Sequence, residues 1–404
     1  MSRQPFLPII VGTDINAYNM AISFHEEYKI QPVLVGKGVL PFTNLSTIPR
    51  AIEYDKKLAD PAQFAKILIS VAKKYEEAAE KLILIGTNDL YVRLIIENRA
   101  ILKDYFVFNY IEEDLMNEIQ FKENFYKLCE QHGIDIPTTV FYNCQTDGEF
   151  TKEMMYPVII KPSNGIEYSR HPFEGQAKVF KVENLTELNN VVTMIKNSGY
   201  ADTLIIQDYI PGEDTAMWDS VVYVSSKGET QLVSFAQVVL QEHTKTAIGN
   251  YTALITRYNE ELMTKLRNFL EALNYRGFGN FDLKFDERDG KFKVFEVNIR
   301  QGRSSYYVTA MGHNMARYFV DDLIYNKEKP CTYLNGDMLF SVVPKIVLKN
   351  FVADPAVQAD IARLLKEKKM VNPLFYKQDK HLKRKFYMFI RQVNYYKKYK
   401  ENVW

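Results

Sequence analysis

The sequence predicts a mixed fold, α/β in its first part and α+β after it, closing on a helical basic segment. Glycine-bounded apolar runs alternate with amphipathic stretches over residues 1–117, and strands with few intervening helices fill 118–325. Residues 326–404 end in a run rich in lysine, arginine and tyrosine.

In the first part, "LPIIVG" (7–12), "PVLVG" (32–36) and "KLILIG" (81–86) are too apolar for strands with one wet face. Strands buried on both faces belong to a parallel sheet covered by helices, and the stretches Ala17–Tyr28 and Pro61–Ala79 supply those. Ligands of such sheets sit past the carboxyl ends of the strands. Asp14, Asn16, Thr87, Asn88 and Asp89 are therefore expected either to line a binding edge or to cap the helices that follow.

In the middle part, "IQFKENFYKLCEQHG" reads as one helix stopped by Gly133, and Pro137 confines the next run, "IDIPTTVFY", to a strand start or a sheet edge. Strands follow in "YPVIIKPSNG", "AKVFKV", "TLIIQDYIPGED" and "WDSVVYVSSKGETQLVSF", with helices around Leu185–Asn197 and Glu260–Leu273. "DERDG" separates two alternating runs, and its Asp289-Gly290 predicts a hairpin. In the last part, Leu382, Phe386, Phe389, Ile390, Val393 and Tyr396 share one helical face. That pattern predicts a helix docked on its own protein; contact with an anionic membrane or an anionic substrate is the alternative.

Composition narrows the function. The 404 residues are 47% hydrophobic and 25% charged, with a net charge of +1, so no global field points to nucleic acid. Three scattered cysteines, Cys129, Cys144 and Cys331, form no disulfide framework and no zinc pattern. The opening "MSRQPFLPIIVGTD" is not a signal peptide and no apolar run is long enough to span a bilayer, which leaves the cytoplasm as the expected compartment. Nothing in the residues sets an oligomeric state. There is no Walker A pattern, and "GFGNFD" fails the dinucleotide fingerprint because Asp282 takes the last glycine's place. Kinase and nucleophile-elbow motifs are missing, and the six histidines lack zinc spacing.

The stretch "FEVNIRQGRSS" (295–305) holds the densest chemistry. On a strand Glu296 and Asn298 point the same way, and Asp282 lies across the hairpin. These hard oxygen donors suit magnesium, which keeps water and phosphate as its other ligands; the alternative is the solvated face of an ordinary hairpin. Lys161, closing "PVIIK", and Lys122 offer cations for a phosphate, and the loop after Lys161, from Ser163 through Gly165 to Gly175, offers backbone N–H groups. "LIIQDYIPGED" suits an adenosine site, though a Pro211-Gly212 turn explains the same letters.

The order of these parts resembles the ATP-grasp superfamily of carboxylate–amine ligases. A lysine near the domain start, a lysine closing a strand before a loop, a hinge ending in I-P-G-x-D, then D…E-x-N with a following arginine recur there, over roughly 118–325 here. Closer still, "GTDINAYNMAISF", "VIIKPSNGIEYSRHPFEG", "IIQDYIPGED", "IGNY", "GFGNFDLKFDERDGKFKVFEVNIRQGRSS" and the basic carboxyl end resemble the peptidoglycan D-aspartate ligases of lactic-acid bacteria.

The resemblance implies a parallel-sheet pre-ATP-grasp domain at 1–117, an ATP-grasp domain at 118–325 and an extension with a basic amphipathic helix at 326–404. It implies ATP bound by Lys122, Lys161, Ser163, Gln207, Asp208, Tyr209, Ile210 and Asp214, with two magnesium ions on Asp282, Glu296 and Asn298. Lys161 and Arg300 become the catalytic pair, and Arg300, Arg303, Ser304 and Ser305 the acid-binding group. The implied substrates are D-aspartate, activated at its β-carboxylate, and the lysine ε-amine of UDP-MurNAc-pentapeptide. In relatives that join two D-alanines an arginine stands two residues before the first metal acid, where this chain has Asn280, and Arg300 is the candidate to replace it. A different acid or amine on the same fold, or a nucleotide-binding protein without turnover, are the competing readings. Biotin-dependent carboxylation lacks its biotinylated-lysine motif.

Overall fold

The computed structural model describes residues 3–244 and 249–402. The chain forms two compact units. The larger gathers Met1–Asn117, Glu213–Asp282 and Val297–Trp404; the smaller gathers Glu118–Gly212 and Leu283–Glu296.

In the larger unit, the runs expected to be parallel strands are so. Ala51–Tyr54, Val33–Gly36, Gln4–Val11 and Ala79–Gly86 form, in that order, a four-stranded parallel sheet. Ile9, Ile10, Val33, Leu34, Leu84 and Ile85 are fully buried, as strands covered on both faces require. The edge strand Ala51–Tyr54 was not expected; three of its residues are half-exposed, Tyr54 is exposed, and no long apolar run announces them. The helices Ile15–Tyr28, Pro61–Tyr75 and Asp89–Glu97 each begin at a side-chain cap, Asp14, Asp60 and Asn88 respectively.

The second sheet runs Lys291–Asn298, Gly277–Asp286, Met217–Val224, Ala236–Gln241, Tyr251–Thr256, Leu339–Ser341, Met370–Val371, with Thr230–Val233 and Thr332–Tyr333 branching from it. Its first two strands are the expected hairpin, closed by Gly290 at φ +72°. Of the motif "IGNY", Ile248 lies outside the described residues.

The smaller unit holds an antiparallel sheet ordered Thr139–Asn143, Thr203–Asp208, Val158–Pro162, Phe180–Val182. As Pro137 demands, Thr139–Asn143 is an edge strand. Val158, Ile160, Leu204 and Ile206 meet Leu188, Val192 and Ile195 of the helix Leu185–Asn197 in one core. The helix expected across "IQFKENFYKLCEQHG" is broken: Glu113–Gln120 ends and Lys122–Gln131 begins at Phe121, whose backbone is extended and whose side chain faces solvent. The break makes Lys122 the first residue of its own helix.

The carboxyl-terminal helix, Leu382–Glu401, is docked on the larger unit, but not by its apolar stripe. It buries Arg384, Met388, Gln392, Tyr395 and Tyr399, while Leu382, Phe386, Phe389, Ile390 and Val393 are exposed and Tyr396 is half-buried. The buried polar side chains find partners: Arg384 pairs with Asp379 and donates to Leu374 O and Phe42 O, Gln392 donates to Val342 O, and Tyr399 donates to Gln241 O at 2.6 Å. A hydrogen-bonded face of this kind competes with an apolar one, and periodicity alone does not say which goes inward. Among the described residues no helix is long and apolar enough to cross a membrane.

Candidate active site

In the smaller unit, Lys161 follows the core residue Ile160 on the strand Val158–Pro162, so its side chain leaves on the face opposite Val158 and Ile160. Its Nζ donates to Gln207 Oε1 at 3.4 Å. Neighbours settle the orientation of that amide. Thr139 Oγ1 already donates to Pro137 O and Tyr126 OH to Phe295 O, so both hydroxyls accept from Gln207 Nε2, at 2.8 and 3.0 Å. Gln207 is fully buried, and its carbonyl is thereby fixed toward Lys161.

Lys122 Nζ lies 3.1 Å from Glu296 Oε2. A cation at the first position of a helix is disfavoured by the helix dipole, and this carboxylate offsets it. Burial lowers the pKa of Lys161 to about 8, with the charge of Lys122 acting the same way and Glu296 opposing. Two lysines held close by their surroundings make a site for a polyanion. A Lys161 that holds one must be protonated, so kcat/KM for a polyphosphate substrate should fall above a pH of about 8. Bound phosphates favour the charged lysine, so the corresponding limb in kcat moves to higher pH. In Lys161→Arg, whose guanidinium does not titrate in this range, the limb near 8 should vanish from whatever activity survives; its persistence would clear Lys161.

After Lys161, the exposed Ser163 donates its N–H to Thr203 O at 2.9 Å, and Asn164 caps the short helix Gly165–Ser169. In the hinge, Asp208 N and Tyr209 N donate to Thr138 O and Pro157 O. The Tyr209 ring has Lys181 Nζ at 4.6 Å and Lys284 Nζ at 5.6 Å from its centroid, and Ile210 is buried.

In the larger unit, Asp214 already receives three donors: Gln241 N at 3.0 Å, Gln241 Nε2 at 2.7 Å and His243 Nε2 at 2.8 Å. Asp282 and Asn298 do converge across the hairpin, Asn298 Nδ2 donating to Asp282 Oδ2 at 3.1 Å. Arg300 continues the line: its Nη2 donates to Asn298 Oδ1 at 3.3 Å and to Asp89 Oδ2 at 3.0 Å. Asn280 faces inward, giving Nδ2 to Asp219 Oδ1 at 2.7 Å. Burial raises the Asp219 pKa to about 6 against the hydrogen bonds from Asn280 and Tyr307 and the charge of Arg300. Among the described residues no three His, Cys, Asp or Glu side chains cluster as a metal cage. Asp282 and Asn298 make a carboxylate–amide pair, and Glu296, paired with Lys122, lies two residues before Asn298 on the same strand.

The loop after Arg300 is gripped by the carboxyl edge of the parallel sheet. Asn16 Nδ2 donates to Gln301 O at 2.9 Å and to Thr87 O at 2.8 Å, Asn19 Nδ2 donates to Arg303 O at 2.9 Å, and Gln301 Nε2 donates to Gly86 O at 3.1 Å. Asp14 caps its helix through Ala17 N at 3.0 Å, and burial raises its pKa against that bond and the charges of Arg303 and Arg300. Gly12 allows the close approach: at φ +141° a Cβ there would lie 1.9 Å from Thr87 Oγ1. Ser304 and Ser305 are buried, and Ser305 Oγ has no partner among the described residues. The Arg303 guanidinium lies 5.9 Å from the Phe42 ring centroid, and Arg391, from the carboxyl-terminal helix, lies 4.4 Å from the same ring.

Sequence reasoning missed Asn19, Phe42, Gln301 and Arg391. Asn16 and Asn19 carried a signal, three residues apart on one helix face just past a strand end. Phe42 and Arg391, distant in sequence, carried none.

The family described as carbamoyl-phosphate synthase L chain, ATP binding domain, matches residues 122–316. A D-aspartate ligase from Enterococcus faecium (strain Aus0004) is 32% identical over 417 residues, covering 99% of this chain and 98% of that protein. Among solved structures, an L-amino acid ligase from Bacillus licheniformis superposes with a TM-score of 0.55 at 14% identity, over 80% of this chain and 75% of that one. The biotin carboxylase domain of the Hydrogenobacter thermophilus 2-oxoglutarate carboxylase, in complex with MgADP, gives 0.59 at 14% identity, over 82% and 73%. With Lys122 and Lys161 in the smaller unit, the acid-amide-arginine line on the hairpin and a relative matched end to end, the chain belongs to the D-aspartate ligase family of ATP-grasp enzymes and is an ATP-dependent carboxylate–amine ligase.

Proposed function

We propose that the enzyme works in the cytoplasm, activating the β-carboxylate of D-aspartate with ATP and joining it to the lysine ε-amine of UDP-MurNAc-pentapeptide for the peptidoglycan crossbridge. The near end-to-end likeness to the Enterococcus D-aspartate ligase carries the choice of acid. We assign residues 1–117 to support of the acid-binding loop, 118–325 to ATP-grasp chemistry and 326–404 to the extension that delivers Arg391.

A carboxylate is a poor acyl donor because its leaving group would be oxide. Its oxygen therefore attacks the γ-phosphorus of ATP, ADP leaves, and the amine then attacks the acyl carbon of the mixed anhydride and expels phosphate. Such chemistry is mostly positioning and charge neutralisation. Lys122, Lys161 and the exposed Ser163 hydroxyl hold phosphates, while Gln207 serves through Lys161, whose amine it orients. The backbone from Asp208 to Ile210 takes the adenine edge. Asp214 takes the ribose, with Gln241 and His243 holding the carboxylate in place.

The oxygen donors of Asp282, Glu296 and Asn298, without competing sulfur or imidazole, fit magnesium, and we assign two ions to them. When bound, magnesium neutralises phosphate oxygens. Arg300 faces the charge that grows on the acyl group. Arg303 and Arg391, with Ser304 and Ser305, hold the carboxylate that does not react. Arg391→Ala should then raise KM for the acid by about tenfold or more with little change in kcat, since a charged hydrogen bond contributes about 1.5–3 kcal/mol. An equal fall in kcat and kcat/KM, with KM unchanged, would remove it from the acid site. The acyl-phosphate step is tested with D-aspartate labelled with heavy oxygen in its carboxylates: one label should reach inorganic phosphate for each amide formed, and unlabelled phosphate would sink the step.

A further inference from the structure

The carboxyl-terminal helix Leu382–Glu401 turns its apolar stripe to solvent. Leu382 is 79% exposed, Phe386 66%, Phe389 60%, Val393 58% and Ile390 40%. Side chains of this size, repeating at helical spacing on one exposed face, form a continuous apolar band of the kind that marks an interaction site. The opposite face is fixed in place: Arg384, Gln392 and Tyr399 are bonded to the body of the protein, so the helix cannot roll to hide the stripe without breaking those bonds.

Charge decides between occupants. From Lys377 to Lys400 the sequence has nine lysines and arginines and a single acid, in a protein whose net charge is +1. That acid, Asp379, is buried against Arg384. Lys383 and Lys385 flank the exposed stripe one position on either side of Arg384, Lys400 continues its line, and these three have no acidic partner among the described residues. A second copy of the same helix would bring these cations against their equals. An anionic lipid surface attracts every one of them while its acyl boundary takes the apolar side chains.

We propose that this helix is a peripheral membrane anchor, lying in the plane of an anionic bilayer with Leu382, Phe386, Phe389, Ile390 and Val393 in the headgroup–acyl boundary and the lysines on the phosphates. The proposal is independent of which acid the enzyme activates. Arg391 and Tyr395 face the protein side, so a seated helix leaves the acid-binding loop's partners untouched.

The test is co-sedimentation of the full chain with phosphatidylcholine vesicles, with and without phosphatidylglycerol. Binding should require phosphatidylglycerol, weaken with added salt, and fall at least tenfold in Phe386→Ser/Phe389→Ser and in Lys383→Glu/Lys385→Glu. All these positions are exposed, so ATP turnover on soluble substrates should match the parent protein and report an intact fold. Absence of binding to anionic vesicles would overturn the proposal. So would a dimer in sedimentation velocity that Phe386→Ser/Phe389→Ser dissociates, because the stripe would then belong to a second copy.

Discussion

Glu296→Gln is expected to lower kcat by about a thousandfold while leaving the thermal midpoint where it was. The amide keeps the shape and loses the charge. Glu296 lies 3.1 Å from Lys122, and in the proposed site its negative charge would serve both the metal donors and the phosphate-binding lysine. The pair is a third to a half exposed, and a pair so wetted contributes less than about 1 kcal/mol to stability. Turnover and stability should therefore separate. Unchanged kcat would take Glu296 out of the metal set.

Arg300→Ala is expected to cost about a hundredfold to a thousandfold in kcat, the range for losing one group aimed at developing charge. Its side chain is 17% exposed and is held between Asp89 and Asn298, at 3.0 and 3.3 Å, so its position is set before substrate arrives. The rival for its role, position 280, is an asparagine bonded inward to Asp219 and 4% exposed. Arg300→Lys keeps the charge but loses the fork whose Nη2 reaches Asp89 and Asn298 while Nη1 reaches Gln301 O, and should recover only part of the loss. A rise in KM for ATP with kcat intact would move Arg300 from the reacting centre to ground-state binding.

The parallel strands were legible because burial on both faces leaves a run with no polar residue, and the hairpin because Asp289-Gly290 announces its turn. Lys161 was legible as a cation ending an apolar strand. Its dependence on Gln207 was not, since the amide's orientation is set by hydroxyls on two other elements, Tyr126 and Thr139. Asp14, Asn16 and Asn88 could be read as caps or as site residues, and Asn16 proved to tie the sheet edge to Gln301. The break at Phe121 had no glycine or proline to mark it. The carboxyl-terminal helix was read correctly as amphipathic and docked, yet with the wrong face inward. Periodicity finds a stripe, whereas the side it takes depends on whether the opposite residues find partners, as Arg384 does in Asp379 and Phe42.

D-aspartate and the muramyl pentapeptide are proposed as the substrates of one ATP-driven condensation. The measurement that meets this proposal most directly is phosphate release by the purified protein with ATP and magnesium, across D-aspartate, L-aspartate and other amino acids, with and without UDP-MurNAc-pentapeptide. The predicted result is sustained release only when D-aspartate and the pentapeptide are both present, matched by an equal yield of amide. Release that ignores D-aspartate, or follows another acid or amine, would contradict it.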